Sequence, residues 1–369
     1  MLRAGFCVTV LLIAALLQNS EAKTLKGNLG QAAYRIDYPD AGWNRILIVY
    51  CHGLRTELLS PDDLQLTPLL QHLFDSGFAV AQSGYSSVAW SVKDGVEDTE
   101  ALRLYFGKHV STPSKTFVVG ESLGGFFVPV LLERPNTSYS AGLAICAPLM
   151  SSEWFILRRA LDVRVVFDYF FPGTAADLIN GKEDDEDHYS KVMQLFKESP
   201  QKAAELRSYT DIPNDSDLAS TLEIYTYILL DIRKRAHGSP FDNRNTVYQG
   251  TSDDVMLNTG VRRYSPDAEA LKFLQGYYTL TGDLQAPFLA VTNVDDPIIP
   301  SWINNFYSLL AQSRGRQNLF EQRVLPEKGH CDVDPNLAYN FFKDLVRWES
   351  GRRPTNRQLK RTQSTPQKN

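Results

Sequence analysis

The segment RILIVYCHG, residues 45–53, is an unbroken run of β-branched and apolar side chains. A strand of that kind has no polar face to turn to water. It belongs in a sheet covered on both sides, the usual setting of parallel strands. Similar runs recur in FAVAQSGY, TFVVG, AGLAICAPL, APFLAVTNV and LFEQRVLP. Helical patterns lie between them. PLLQHLFDSG ends on a glycine stop, and VEDTEALRLYFGKHV has apolar residues near helical spacing with acids early, where a helix N-terminus favours them. SLGGFFVPVLLERP, PSWINNFYSLLAQSRG and PNLAYNFFKDLVRWESG read the same way, with Pro129 predicting a kink or a local break. Strands alternating with helices predict an α/β fold: a mostly parallel central sheet, right-handed crossovers and helices on both faces. Ahead of it, TLKGNLGQAAYRIDYPD predicts a β-hairpin turning at Asn28 to Gly30.

The alternation stops between residues 150 and 283. There SEWFILRRALDVRVVFDYFF, HYSKVMQLFKESPQKAAELRSY and LASTLEIYTYILLDIRKRAHG all read as helices. A helical block between two strands predicts a cap over the carboxyl edge of the sheet, where such folds bind ligands. The plainer alternative is that the block only extends the core.

The two ends differ in kind from the body. MLRAGFCVTVLLIAALLQNSEAK has one early cation, an apolar stretch too short to span a bilayer comfortably, and small residues at Ser20 and Ala22. It predicts a secretory signal over residues 1–22 and an exported chain, periplasmic or extracellular; an uncleaved anchor is the other reading. No later segment is apolar enough for a membrane helix. The core then comprises residues 23–149 and 284–351, and the cap 150–283. Residues 352–369 carry six basic side chains, no acid and almost no apolar surface, which predicts a disordered basic tail. Since the whole chain has a net charge of -5, the body between signal and tail carries -11. An acidic body argues against nucleic acid as a partner. Once the signal leaves, Cys51, Cys146 and Cys331 remain, an odd number for an oxidising compartment. There is no CxxC pair, no HExxH and no phosphate-cradling glycine loop. The run Asp184 to Asp187 reads as a solvated charge cluster, so neither metal nor cofactor is expected.

Within TFVVGESLGGFF, Gly120 to Gly124 match G-x-S-x-G. The pattern alone arises by chance in roughly one chain of this size in ten. Its setting between a strand and a helix is what gives it weight. A serine on so sharp a turn sits in a strained conformation with its hydroxyl above the sheet. Gly120 and Gly124 relieve the crowding on either side. The following helix N-terminus favours negative charge nearby. A serine hydroxyl needs a base. Of the six histidines, His330 lies after the last predicted strand, with Gly329 freeing its loop. His72 and His109 fall at ordinary helix positions, and His188 and His237 within the cap. The base needs an acid, and Asp295 and Asp296 follow a predicted strand directly. Only one of two adjacent side chains can serve; Asp296 is favoured, with an N-cap as its plainer role. Asp332 and Asp334 suit loop orientation or a helix cap. The backbone amides of Leu54 and Leu123 are the candidate oxyanion donors, with His52 holding the loop. Arg55, Tyr85, Trp90, Trp154 and Tyr225 are candidates for the site's walls, ordinary packing being the alternative for each.

With these residues the chain resembles the α/β-hydrolase superfamily from about Leu25 to Gly351. The match rests on His52-Gly53, the Gly120 to Gly124 elbow, Asp296 followed by Ile298, Ile299 and Pro300, and Gly329-His330. The order Ser122, Asp296, His330 is the chain order of that superfamily. GYSSVAWSVKDGVEDTEAL followed by GESLGG also resembles a group of secreted bacterial hydrolases near the esterase and prolyl-oligopeptidase-like branches. The resemblance implies a serine hydrolase acting on small-molecule carboxylic esters through an acyl-enzyme. A peptidase on the same scaffold, or an inactive binding protein with a relict elbow, are the alternatives. Cys331 beside His330 resembles the tannase and feruloyl esterase group, in which a cysteine after the histidine bonds one just before the serine. Here Glu121 holds that position, so half the pattern is present. A Cys146–Cys331 bridge, from the end of the strand after the elbow, would brace the histidine loop against the sheet and is favoured; a Cys51–Cys331 bridge and three buried free thiols are the alternatives.

Overall fold

The computed structural model describes residues 22–175, 177–179, 188–276 and 279–353. The secretory signal expected at residues 1–22 falls outside them except for Ala22. The acidic run at Asp184 to Asp187 and the tail beyond Arg353 lie outside them as well.

Eight strands form one sheet: β1 (Ala22–Leu29), β2 (Ala32–Pro39), β3 (Ile46–Cys51), β4 (Ala79–Ser83), β5 (Lys115–Glu121), β6 (Ala141–Ile145), β7 (Phe288–Asp295) and β8 (Phe320–Lys328). Their order is β1-β2-β4-β3-β5-β6-β7-β8. β1 and β2 are an antiparallel hairpin, and β2 pairs antiparallel with β4; every other pairing is parallel. The hairpin turns at Gly30 and Gln31 rather than one residue earlier, because Asn28 and Leu29 stay paired with β2 and the positive φ falls on Gly30.

The apolar runs are buried on both faces, as their composition requires. In β3, Leu47, Val49 and Cys51 join one cluster of the core while Ile48 and Tyr50 join the other. Helices α1 (Pro68–Asp75) and α12 (Pro335–Glu349) cover the second face. Helices α2 (Val92–His109), α3 (Leu123–Leu132) and α11 (Asn304–Ser313) cover the first. The chain changes face after β4, so the strand order reverses between β3 and β5. Loops leaving those two neighbouring strands diverge there and open a crevice at the carboxyl edge. Pro129 stands inside α3, which ends three residues later at Leu132.

Between β6 and β7 the described residues are helix and loop. α4 (Ser152–Phe155) runs through a π-helical turn, Ile156–Ala160, into α5 (Leu161–Phe170). α6 (His188–Glu198) and α7 (Pro200–Thr210) are two helices where the apolar pattern reads as one. The break falls at Ser199, since Pro200 suits a first helical turn and disfavours helix in the residue before it. α8 (Asp215–Arg235) follows, N-capped by Asn214. The short α9 (Asp254–Gly260) and α10 (Ala268–Gly276) have too few turns to stand out by periodicity. Among the described residues no helix is long and apolar enough to cross a membrane. Arg352 and Arg353, read as the start of the tail, are tied down. The Arg352 amide donates to the Arg347 carbonyl, and Arg353 lies over the Trp348 ring with its guanidinium near Glu321.

Candidate active site

Ser122 follows the last residue of β5 and precedes the first residue of α3. Its φ of 52° and ψ of -124° put a non-glycine residue in a costly backbone region. The neighbouring glycines are sterically required. A Cβ on Gly120 would run into the Gly124 backbone, and one on Gly124 into the carbonyls of Cys51 and His52. One on Gly125 would come to 2.7 Å of the Ala147 side chain. The Ser122 amide donates to Ile145 O at 2.9 Å, continuing the ladder to β6 and fixing the turn against the sheet.

His330 comes from the loop after β8. Its Nε2 lies 2.8 Å from Ser122 Oγ across 208 positions of sequence. Its Nδ1 lies 2.8 Å and 3.1 Å from the two carboxylate oxygens of Asp296, in the loop after β7. Asp296 is buried; Asp295 faces outward and pairs with the exposed Lys328 at 3.3 Å. His72, His109, His188 and His237 stand outside this arrangement. Asp334 caps α12, accepting from the Leu337 amide.

The loop after β3 passes beside the serine. A Cβ on Gly53 would lie 3.1 Å from Ser122 Cβ, tighter than an ordinary contact, so glycine lets the loop come this close without displacement. Leu54 follows. The amides of Leu54 and Leu123 engage no acceptor among the described residues, and both residues line the cavity at Ser122. His52 is buried and stacks on Tyr85 with ring centroids 4.0 Å apart. Its Nδ1 is 2.6 Å from Gly53 O, and burial holds its pKa down at about 4. A neutral ring packed in this way holds the loop, and no hydrogen bond joins it to Ser122.

The cavity has a volume of about 320 Å³. One wall is apolar, with Trp90 from the core side and Phe155, Ile224 and Ile228 from α4 and α8. Tyr50, Arg55, Thr67 and Glu121 make the other end polar. Glu121 is largely buried, which pushes its carboxyl up, and it accepts from the Tyr50 hydroxyl at 2.9 Å. Of the five wall candidates, Arg55 and Trp90 line the cavity. Tyr85 is packed under His52, Trp154 is half-exposed outside, and Tyr225 is fully buried within the helical layer.

A sheet ordered β1-β2-β4-β3-β5-β6-β7-β8, with β2 reversed, carries an elbow serine after β5, an acid after β7 and a histidine after β8. The chain has the α/β-hydrolase fold. No protein-family model matches the chain, and no curated protein matches it. Solved structures with a similar fold include an acylaminoacyl peptidase from Pyrococcus horikoshii, at 9% identity and a TM-score of 0.49. That match covers 89% of this chain but only 41% of the peptidase. An esterase from Pyrococcus furiosus matches at 10% identity and a TM-score of 0.48, over 89% of this chain and 90% of the esterase. The fold assignment rests on strand order and elbow geometry, independently of these distant likenesses.

Three features of this fold carry no local sequence signal. Asn293, wholly buried in β7, donates from Nδ2 to Gly329 O at 2.9 Å and Asp332 O at 3.0 Å, pinning the histidine loop. Arg159 and Thr221, from the helical layer, donate to Pro297 O, and the Tyr225 hydroxyl donates to Ile298 O, so those helices clamp the acid loop. Finally, Cys146 and Cys331 form a disulfide with Cα atoms 5.2 Å apart, while Cys51 remains a buried free thiol pushed up to about 12 by burial. The bridge joins the end of β6 to the residue after His330. The one close His/Cys group among the described residues, Cys146, His330 and Cys331, therefore has both sulfurs committed to that bond.

Proposed function

We propose that this chain is an exported serine hydrolase, a carboxylic-ester hydrolase acting through an acyl-enzyme. The observation carrying the reading is the hydrogen-bonded series from Ser122 Oγ through His330 to Asp296, anchored on a strained strand-to-helix turn. In this reading His330 Nε2 takes the proton of Ser122 as its oxygen attacks the ester carbonyl. Asp296 fixes the ring with Nδ1 protonated and stabilises the imidazolium. The Leu54 and Leu123 amides, with no protein acceptor of their own, donate to the oxyanion. His330 then returns the proton to the departing alkoxide. Water attacks the acyl-enzyme in the reverse sequence, releasing the acid and restoring the serine. Export rests on the N-terminal pattern of residues 1–22. Esters are favoured over peptides because the cavity is modest and has an apolar wall of Trp90, Phe155, Ile224 and Ile228.

The deciding experiment compares 4-nitrophenyl ester hydrolysis by the wild type and Ser122→Ala. The expected loss in kcat is about 10⁴-fold or more. Equal rates would end the reading.

A further inference from the structure

Arg55 has no assigned task in the hydrolytic sequence. It directly follows Leu54, and it lines the cavity at the polar end. Its backbone is fixed: the Arg55 carbonyl accepts from the Ala89 amide at 2.9 Å, and the next carbonyl, that of Thr56, accepts from the Tyr227 hydroxyl at 3.3 Å. The side chain is not fixed by any counter-ion. Among the described residues no carboxylate lies within 4.0 Å of its guanidinium and no hydrogen bond engages it.

The nearest candidate to neutralise it is Glu121, the only acid among the residues that line the cavity. That carboxyl makes no ion pair with Arg55: Tyr50 donates to its Oε2 at 2.9 Å, and burial pushes it up, while the Tyr50 hydrogen bond and the nearby Arg55 charge act the other way. The cavity therefore presents a guanidinium on a fixed backbone, engaged in no hydrogen bond or ion pair, a single residue beyond the Leu54 amide proposed for the oxyanion. A guanidinium fork matches a carboxylate in two parallel hydrogen bonds. Arg55 is itself exposed, so solvent screens its charge and the discrimination rests on the geometry of the fork.

We infer, building on the serine-hydrolase reading of this site, that Arg55 binds a carboxylate on the substrate, so that the preferred esters are acidic ones such as half-esters of dicarboxylic acids. The ester carbonyl sits under Leu54 and Leu123, the hydrocarbon lies along the Trp90 and Phe155 wall, and the free acid reaches Arg55. Arg55 selects the substrate and takes no part in proton transfer.

The test uses two matched pairs of esters. One carries the free acid on the acyl side, the 4-nitrophenyl half-ester of glutaric acid against its terminal amide. The other carries it on the alcohol side, 4-carboxyphenyl butyrate against 4-carbamoylphenyl butyrate. The quantity read is the ratio of kcat/KM for acid over amide. For the wild type it is expected to exceed one by roughly tenfold or more in at least one pair, and to collapse toward one in Arg55→Ala, since a charge-assisted bidentate contact is being removed. Arg55→Lys should retain part of the preference. Because both members of a pair share any general damage, the ratio survives a poorly folded variant. No acid preference in either pair, or one that persists in Arg55→Ala, overturns the inference. Calorimetric titration with glutarate separates this outcome from failure of the hydrolase reading. Binding weakened by Arg55→Ala, with no ester turned over, would leave the carboxylate site standing and remove the enzyme. Turnover without acid preference or glutarate binding would do the reverse.

Discussion

Asp296 meets His330 with both carboxylate oxygens, and one of them is doubly occupied. Oδ1 lies 3.1 Å from Nδ1 of the histidine while accepting from the amides of Ile298 at 3.0 Å and Ile299 at 2.9 Å. Oδ2 is left to Nδ1 alone, at 2.8 Å. Asp296 thus closes a turn through these two amides but caps no helix, since the next helical turn starts at Ser301 after Pro300; the turn orients the acid toward the histidine. An asparagine cannot do both jobs: its single oxygen can satisfy either the two amides or the ring, and its NH₂ opposes a donor at the other place. Asp296→Asn is expected to lower kcat/KM by about 10³-fold or more with little change in melting temperature. Asp295→Asn, which touches only the exposed Lys328, should stay within about threefold. Similar losses in the two variants on an ester assay would contradict the assignment of Asp296.

Glycine positions separate steric damage to folding from steric damage to the site. Gly124→Ala drives a methyl into the carbonyls of Cys51 and His52, at the end of the central strand β3. Backbone cannot step aside there, so a loss of more than about 3 kcal/mol in unfolding free energy is expected. Gly53→Ala meets instead the Cβ of Ser122 at 3.1 Å. The loop and the serine can yield by a few tenths of an ångström, which preserves the fold but moves the oxyanion loop away from the nucleophile. A fall in kcat of about tenfold or more is expected for that shift, with unfolding by urea nearly unchanged. A Gly53→Ala enzyme at full rate would show that the loop need not approach the serine closely.

What was legible in the sequence follows from where its information is local. β3, β5 and β7 announce themselves as doubly buried apolar runs, and the elbow is written within five residues. Ser122, Asp296 and His330 could be chosen because each follows a readable strand. The Asn293 clamp and the Arg159 and Tyr225 hold on the acid loop could not. Each is one polar residue inside an ordinary apolar pattern, and its partner lies 36 to 138 positions away. The same distance blurs the cysteines: no spacing rule selects Cys146 over Cys51 when 185 residues separate the bonded pair. Tyr85, Trp154 and Tyr225 take the alternative of ordinary packing or surface, because a local pattern gives a side chain's face but not its neighbour.

The disulfide should matter to activity as well as to stability. It fastens Cys331, the residue after His330, to the end of β6, while Asn293 holds the same loop from β7. Paired replacement Cys146→Ser with Cys331→Ser removes one restraint on the base and leaves Asn293 and the Gly329–Asp295 backbone bond. Expected are a loss of about 2–4 kcal/mol in stability and a larger proportional fall in kcat than in KM. The native protein should show no fast-reacting thiol at Cys51, which is buried with its thiol pushed up to about 12. Full activity of the double variant, with unfolding alone affected, would reduce the bridge to a purely global staple.

Acid sensitivity should trace to His52. Burial lowers its pKa to about 4 in the folded protein, against about 6.5 for an exposed imidazole. Between those values the unfolded chain binds a proton that the folded one does not. Stability from this residue is therefore complete above pH 6.5 and is lost as pH falls toward 4, by roughly 3 kcal/mol at most. Asp162 acts in the opposite sense, since burial raises its carboxyl to about 6 and the folded state gains protons first as pH drops. The two overlap, so the test is a difference between proteins: urea unfolding of the wild type and His52→Gln, followed from pH 7 to 4.5. Glutamine fills a similar volume and does not titrate, and its curve should fall less steeply across that range. Curves that stay parallel would mean that His52 reaches solvent and takes its proton without disturbing the loop beside Ser122.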